Sequence, residues 1–235
     1  MKVMILAAGR GKRMRHLSES TPKPLIKLWG RPLIEWQIMA LKKAGFRDFV
    51  INAAYQADKL MNYLGDGSKY GVKIVFSVEG ADAEDALETR GGIVKALDKL
   101  MEPNSSEPFI VVSGDIVTDF PYSSLIEKAA EIEAGKAKAH LVLVPNPSYH
   151  SGGDMSVENG LITRSDKRFT YGNIAVFSRA LFKDLPVVKM ALFPWLYDFV
   201  DQGLVSGELF QGNWANVGTP EELEKFEKLP PYLYE

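Results

Sequence analysis

Apolar and polar positions along the 235-residue chain alternate between two textures. Short continuous apolar runs, KVMILAAG, FRDFVINAAY, VKIVFSVE, PFIVVSGD and AHLVLVPN, are separated by PLIEWQIMALKKAG, QADKLMNYLGDG, TRGGIVKALDKL and SLIEKAAEIEAGKA, whose apolar residues recur at helical spacing. Brief apolar runs bounded by turn formers suit strands buried on both faces, and crossover helices are what cover both faces of a parallel sheet. The pattern predicts an α/β fold: a Rossmann-like mixed, mostly parallel sheet sandwiched by helices. Ligands in such a sheet bind outside the carboxyl ends of the strands. Pro32 just inside one helix start and Gly45 just past its end follow the usual capping asymmetry.

After about residue 145 the texture changes. MSVENGLITR sets Asn159-Gly160 between short alternating segments, a hairpin signal, and a small β insertion is expected to begin here. FTYGNIAVF returns to strand character. MALFPWLYDFVDQG has helical spacing, with Pro194 marking a helix start or a kink. Thr219-Pro220-Glu221-Glu222 carries a capping box for a last helix that ends before Pro230-Pro231. The divisions read from this are one domain over 1–235, with segments 1–145, 146–218 and a C-terminal helix and tail over 219–235.

Composition narrows the function. With 46% hydrophobic and 25% charged residues and no apolar stretch of bilayer length, the chain is expected neither to span a membrane nor, at net charge -2, to coat nucleic acid. Val3 to Ala8 is too short for an export signal and its arginines follow rather than precede it, so a cytoplasmic location is expected. The absence of cysteine excludes disulfides, thiol nucleophiles and thiolate metal sites. Charge is uneven, however: residues 1–31 hold Lys2, Arg10, Lys12, Arg13, Arg15, Lys23, Lys27 and Arg31 against Glu19 alone. That asymmetry points to a local anion site.

The stretch AAGRGKRM fits neither common phosphate fingerprint. A P-loop needs Gly-Lys-Ser/Thr, whereas Gly11-Lys12 is followed by Arg13; a dinucleotide loop needs a small residue where Met14 stands. What remains is a glycine turn that lets backbone amides approach phosphate, with Arg13 and Arg15 as charge-assisted partners. The plainer reading is a tight strand-to-helix turn with solvated arginines. Lys23 favours the first, because TPKP stiffens the backbone on both sides of a cation. The three histidines stand in no catalytic order, and His140 and His150 read as a strand-end and a loop residue. Trp195, Tyr197, Phe199, Tyr232 and Tyr234 read as core-packing aromatics.

Leu6-Ala7-Ala8-Gly9-Arg10-Gly11-Lys12-Arg13-Met14 and Thr21-Pro22-Lys23-Pro24, at this spacing, resemble the opening of the sugar-1-phosphate nucleotidylyltransferases, L-A-A-G-x-G-x-R-M followed by T-P-K-P. LETRGGI from Leu87 looks like that family's nucleotide-facing glycine segment, and Ser113-Gly114-Asp115 like its metal-bearing loop. The resemblance runs end to end, and VPNPSYHSGGD, LVSGELFQG and NWANVGT most closely resemble the bacterial N-acetylmuramate 1-phosphate uridylyltransferases of cell-wall recycling.

This resemblance implies a nucleotide-diphospho-sugar transferase fold whose segment 1–145 mainly binds nucleotide and whose segment 146–218, with the β insertion, mainly binds sugar. The implied reaction takes UTP and a sugar 1-phosphate to a UDP-sugar and pyrophosphate, with Mg2+ as cofactor. The phosphate nucleophile is already anionic, so no general base is needed, and catalysis rests on positioning and on cations. Arg13 and Lys23 are the implied catalytic residues. Nucleotide binding is implied for both of them and for Leu6, Ala7, Ala8, Gly9, Gly11, Lys12, Asn52, Glu79, Gly80 and Thr89; Asn52 reads equally as a buried structural amide. Ser113, Asn146, Gly153, Asp154, Asn173 and Glu208 are implied for the sugar, and Asp115 and Asn216 for the metal.

Two positions depart from the family. Asn216 stands where W-x-D-V-G-T expects an aspartate, and an amide holds a hard cation less well than a carboxylate. Reduced activity, or an engineered substitution, is the corollary. Arg90 interrupts the glycine segment, either touching triphosphate or pointing to solvent. The rivals are mannose 1-phosphate guanylyltransferase, glucose 1-phosphate uridylyltransferase or thymidylyltransferase, and, from another class, a non-catalytic nucleotide-sugar sensor.

Overall fold

A computed structural model describes residues 1–80, 85–101 and 105–229. The first apolar run forms β1 (Val3–Leu6), and its alternate residues enter two cores: Val3 and Ile5 face one side of the sheet, Met4 the other. Beside it run β4 (Asp48–Ala53), β5 (Lys73–Val78) and β6 (Phe109–Ser113), all parallel, in the order β5-β4-β1-β6. The helices between them cover both faces. From α1 (Leu33–Lys43), Ile34, Ile38 and Leu41 join α2 (Ala57–Leu64) and α4 (Leu125–Glu133) on the Ile5 side, while Ile93, Ala96 and Leu100 of α3 (Glu88–Leu100) pack on the Met4 side. Each fully buried aliphatic chain contributes about 1.5–3 kcal/mol, so this apolar alternation is the main determinant of the layers.

The sheet continues into the second half with changed sense. β11 (Phe169–Phe177) is antiparallel to both β6 and β8 (Ala139–Pro145); β12 (Val205–Leu209) is parallel to β8; and the hairpin of β9 (Ser156–Glu158) and β10 (Leu161–Thr163) closes the edge on β12. The parallel character is thus confined to the β5-β4-β1-β6 side and the β8–β12 pair. The hairpin forms as its turn demands: Glu158 pairs with Leu161, and Asn159 and Gly160 both take positive φ, 52° and 77°. It extends the same nine-stranded sheet.

Two small strand pairs complete the sheets: β2 (Lys27–Leu28) pairs with β3 (Arg31–Pro32), and β7 (Ile116–Thr118) with β13 (Trp214–Asn216). Pro32 ends β3 and stands at the N-cap of α1, one place earlier than its expected position inside the helix, because its extended ψ of 140° pairs it with Lys27. MALFPWLYDFVDQG is helical only at α5 (Tyr197–Val200). Its aromatics are drawn into the core, Trp195 lying 5.3 Å from both Phe182 and Phe199, and that packing sets the local path. Thr219 and Glu222 form the expected capping box of α6 (Pro220–Glu227). Pro230-Pro231, Tyr232 and Tyr234 lie outside the described residues. Among the described residues no helix is long and apolar enough to cross a membrane.

Candidate functional site

Parallel register sets Leu6, Asn52 and Ser113 side by side at the carboxyl ends of β1, β4 and β6. From there the chain passes through Ala7 to Gly11, where φ is 69° and a Cβ would fall 2.8 Å from the Cβ of Lys23. Glycine is needed for both reasons, and it brings the proline-flanked lysine against the turn. Lys23 is 8% exposed and its ammonium is ion-paired with Asp115, which also accepts a 2.6 Å hydrogen bond from Ser113 Oγ. Burial alone pushes the Asp115 carboxyl up, but the Lys23 charge and the hydrogen bonds from Lys23 and Ser113 outweigh it and hold the group below the usual carboxylate range.

Asn52 is fully committed. Its Oδ1 accepts from Ala7 N–H at 2.7 Å, and its Nδ2 donates at 2.7 Å to Glu79 Oε1, while Glu79 Oε2 accepts from Leu87 N–H at 2.7 Å. Burial raises the Glu79 carboxyl, and these donors only partly oppose the effect. This clamp ties the turn after β1 to the start of α3, so Asn52 serves the site by shaping it.

These elements enclose a cleft of about 530 Å³. Leu6, Ala7, Ala8, Gly9, Gly11, Lys12 and Arg13 line one wall; Lys23, Ser113 and Asp115 form the floor; Asn52, Glu79 and Thr89 face it from the α3 side. Gly80, just past β5, is outside the lining. Arg13 lies against Gly218, and neither it nor Lys12 has an ion-pair partner among the described residues. Arg15 departs from expectation: its guanidinium pairs at 2.8 Å with Glu221 in the exposed first turn of α6 and is absent from the lining. Arg10 lines the cleft with its guanidinium 5.5 Å from the Tyr55 ring centre. A larger groove, about 720 Å³, runs between α1 and the 118–123 turn and contains none of the expected site residues.

For a metal, the β7–β13 pairing matters. Asn216 is in register with Ile116, and Val217 N–H donates to the Asp115 carbonyl at 2.9 Å, so the strand carrying Asn216 is laced to Asp115. Asn216 Oδ1 is buried and has no hydrogen-bond partner among the described residues. One carboxylate and one orphaned amide oxygen suit an octahedral hard cation that takes its other ligands from water and substrate phosphates. No group of three His, Cys, Asp or Glu side chains able to hold a metal occurs among the described residues. Asn216 itself is outside the lining of the cleft to which Asp115 belongs, so the two are residues that would hold magnesium only together with substrate phosphates and water.

The sugar-side residues are gathered less completely. Asn173 reaches the cleft because β11 is irregular between Tyr171 and Ala175, which puts Asn173 at φ 56° and re-aims its side chain. Asn146, Gly153 and Asp154 form a network beside the cleft instead of lining it. Asn146 Oδ1 accepts from Thr170 Oγ1 at 2.8 Å, Gly153 N–H donates to the His150 carbonyl at 3.2 Å, and Asp154 takes Tyr171 N–H at 2.9 Å and meets His150 Nε2 at 2.8 Å. Glu208 lies on β12 with Oε1 at 3.2 Å from His140 Nε2, outside the lining.

Arg90 does neither of the things expected of it: it is 5% exposed, packed against Met190 and Trp195. Glu88, Lys189 and Gly218 also line the cleft and were not singled out; Glu88 inside LETRGGI and Gly218 inside NWANVGT carried a sequence signal, and Lys189 did not. Tyr149 is 52% exposed and outside the cleft lining; partial burial and then the charge of Glu222 push its phenol up to about 12, opposed by Arg13 and the Asn216 backbone.

The family model described as nucleotidyl transferase matches residues 2–164. An N-acetylmuramate alpha-1-phosphate uridylyltransferase of Neisseria meningitidis serogroup B is 39% identical over 234 residues, 97% of this chain and 98% of its own. Mannose-1-phosphate guanylyltransferase 1 of Arabidopsis thaliana is 33% identical over 94% of this chain, which spans 62% of that protein's length. The crystal structure of HddC from Yersinia pseudotuberculosis superposes with a TM-score of 0.77 at 21% identity, covering 97% of this chain and 98% of that one, a likeness of fold.

Proposed function

The chain belongs to the sugar-1-phosphate nucleotidyltransferase family, and we propose that within it the protein transfers UMP from UTP to N-acetylmuramate 1-phosphate, releasing pyrophosphate. The observation that carries the reading is the meeting of Arg13, Lys23 and Asp115 on one cleft at the ends of β1 and β6. The relative matched along nearly its whole length is named an N-acetylmuramate alpha-1-phosphate uridylyltransferase, and that name supports both uridine and this sugar in the reading.

In the reaction an oxygen of the sugar phosphate attacks the α-phosphorus, the bond to the bridging oxygen breaks, and pyrophosphate leaves with that electron pair. No proton moves. Ala7 and Ala8 leave a flat slot for the base, held open by the Asn52–Glu79 clamp. Arg13 and Lys12 take the β and γ phosphates, where their charges lower the energy of the leaving group. Lys23, already at the floor, spans the α-phosphate and the incoming phosphate and offsets the repulsion between two anions. Asp115 and Asn216 would hold magnesium, which supplies further neutralisation of the phosphate oxygens when bound.

Selectivity is tested by a thermal-shift panel of UTP, dTTP, GTP and CTP, followed by pyrophosphate release with N-acetylmuramate, mannose and glucose 1-phosphates. A ligand bound only by the native state raises the midpoint. UTP and N-acetylmuramate 1-phosphate are the expected pair; preference for GTP with mannose 1-phosphate would replace it. The orphaned amide of Asn216 favours one second reading, a nucleotide-sugar sensor, which predicts binding without turnover even in Asn216→Asp.

A further inference from the structure

Arg90 is a buried guanidinium with no carboxylate partner among the described residues: Nη1 lies on the Met190 sulfur, Cζ is 5.2 Å from the Trp195 ring centre, and Nε has no hydrogen-bond partner. Burying a charge in this way is unfavourable, and a methionine at the same place would avoid it. Both of these partners, Met190 and Trp195, belong to one strap, residues 187–196. The strap is also pinned by backbone: Met190 N–H donates to the Leu87 carbonyl at 2.9 Å and Gly91 N–H to the Met190 carbonyl at 3.1 Å. Gly91 permits that approach, since a Cβ there would lie 2.2 Å from the Val188 carbonyl oxygen. Between Val188 and Met190 sits Lys189, which lines the cleft.

Electrostatics give this arrangement a purpose. The wall formed by the start of α3 otherwise presents Glu79 and Glu88 toward a cleft that must admit two polyanions. The other cations lining the cleft come from the glycine turn and Lys23. We propose that Lys189 is a substrate-contacting residue that holds the sugar 1-phosphate from the α3 wall, and that Arg90 is the positioning residue that sets it there. The proposal rests on the nucleotidyl-transfer reading above. Its observational basis is the chain of contacts from Arg90 through Met190 and Trp195 to the strap.

A double-mutant cycle tests it: wild type, Arg90→Met, Lys189→Ala and the double variant, with Arg90→Lys as the conservative rescue. Pyrophosphate release is followed against sugar 1-phosphate at saturating UTP, alongside thermal midpoints and tryptophan fluorescence. Loss of one charge-assisted contact should raise KM for the sugar phosphate about tenfold in Lys189→Ala, with kcat within about twofold. Arg90→Met should match it and shift the fluorescence, Arg90→Lys should recover part of the loss, and the double variant should be no worse than Lys189→Ala alone. Multiplying effects, or an Arg90→Met variant with a lower midpoint and unchanged KM, would make Arg90 a packing residue and overturn the proposal. If the wild type turns over no acceptor, the transfer reading falls, and the same cycle is read on calorimetric affinity for N-acetylmuramate 1-phosphate. Equal affinity across the four forms, or none in the wild type, then overturns the positioning role.

Discussion

Gly11→Ala isolates the contact between the glycine turn and Lys23. At φ 69° an alanine incurs a left-handed backbone cost of about 1–2 kcal/mol. For a chain of this size each kcal/mol lowers the midpoint by about 2–4 °C, which gives a fall of about 2–8 °C. The new Cβ would also lie 2.8 Å from the Lys23 Cβ, so reaching ordinary contact at 3.4 Å requires a displacement of 0.6 Å (3.4 less 2.8). The atom met is the root of the lysine, so the whole side chain must move. Misplacing a reacting group by about 1 Å can cost about a hundredfold, and a displacement of this size should lower kcat/KM at least tenfold. Melting curves and pyrophosphate release measure the two effects separately. Gly9→Ala is the control: nothing lies within 4 Å of its Cβ, and its midpoint should be that of the wild type. A Gly11→Ala variant that melts a few degrees lower yet keeps wild-type kcat/KM would refute the idea that this turn sets Lys23 for catalysis.

Three other outcomes are expected. Arg13→Ala should raise KM for UTP about tenfold or more with a midpoint within about 1 °C, since its exposed guanidinium has no ion-pair partner among the described residues and a lost charged contact is felt only with substrate bound. Asn52→Leu should destabilise by about 2–3 kcal/mol in denaturant titration, because it strands the Ala7 N–H and removes a donor from buried Glu79. Stability should depend on Asp115 in acid. Its folded carboxyl lies below the unfolded value of about 3.9, so the unfolded chain binds the proton more tightly. The stabilisation is present above about pH 4 and is lost as pH falls through the folded value, a loss that Asp115→Asn should not show in urea titrations from pH 6 downward.

Much of the fold was legible because local and global signals coincide. β4, β1 and β6 are short apolar runs buried on both faces, and the helices between them carry apolar stripes; Asn159-Gly160 and Thr219 to Glu222 specify their turn and cap by backbone chemistry alone. Sheet order in the second half was not legible, since nothing in periodicity places β12 between β8 and β10. The shortness of α5 was not legible for a related reason: its segment has helical spacing, but Trp195, just before α5, packs on Phe182. At the site, the phosphate side was readable because glycine, proline and cations lie together in the first 24 residues. Arg15 was misread because a turn of irregular backbone, with φ 52° at Arg15 itself, directs it to Glu221. Lys189 reaches the cleft through tertiary packing that leaves no local mark. Lys23 shows a further effect of packing: removing it also strands the buried Asp115 carboxylate, so Lys23→Ala mixes stability with catalysis and Arg13→Ala is the cleaner probe.

The proposed transfer depends on Arg13 and Lys23 as fixed cations, with Asp115 and Asn216 as the residues that would hold magnesium. Its most direct test is release of pyrophosphate from UTP, with magnesium and N-acetylmuramate 1-phosphate, by this chain and by Asn216→Asp. Release should require the sugar phosphate in both, and the aspartate variant should be faster and should need less magnesium. No release by either protein with any sugar 1-phosphate would contradict it.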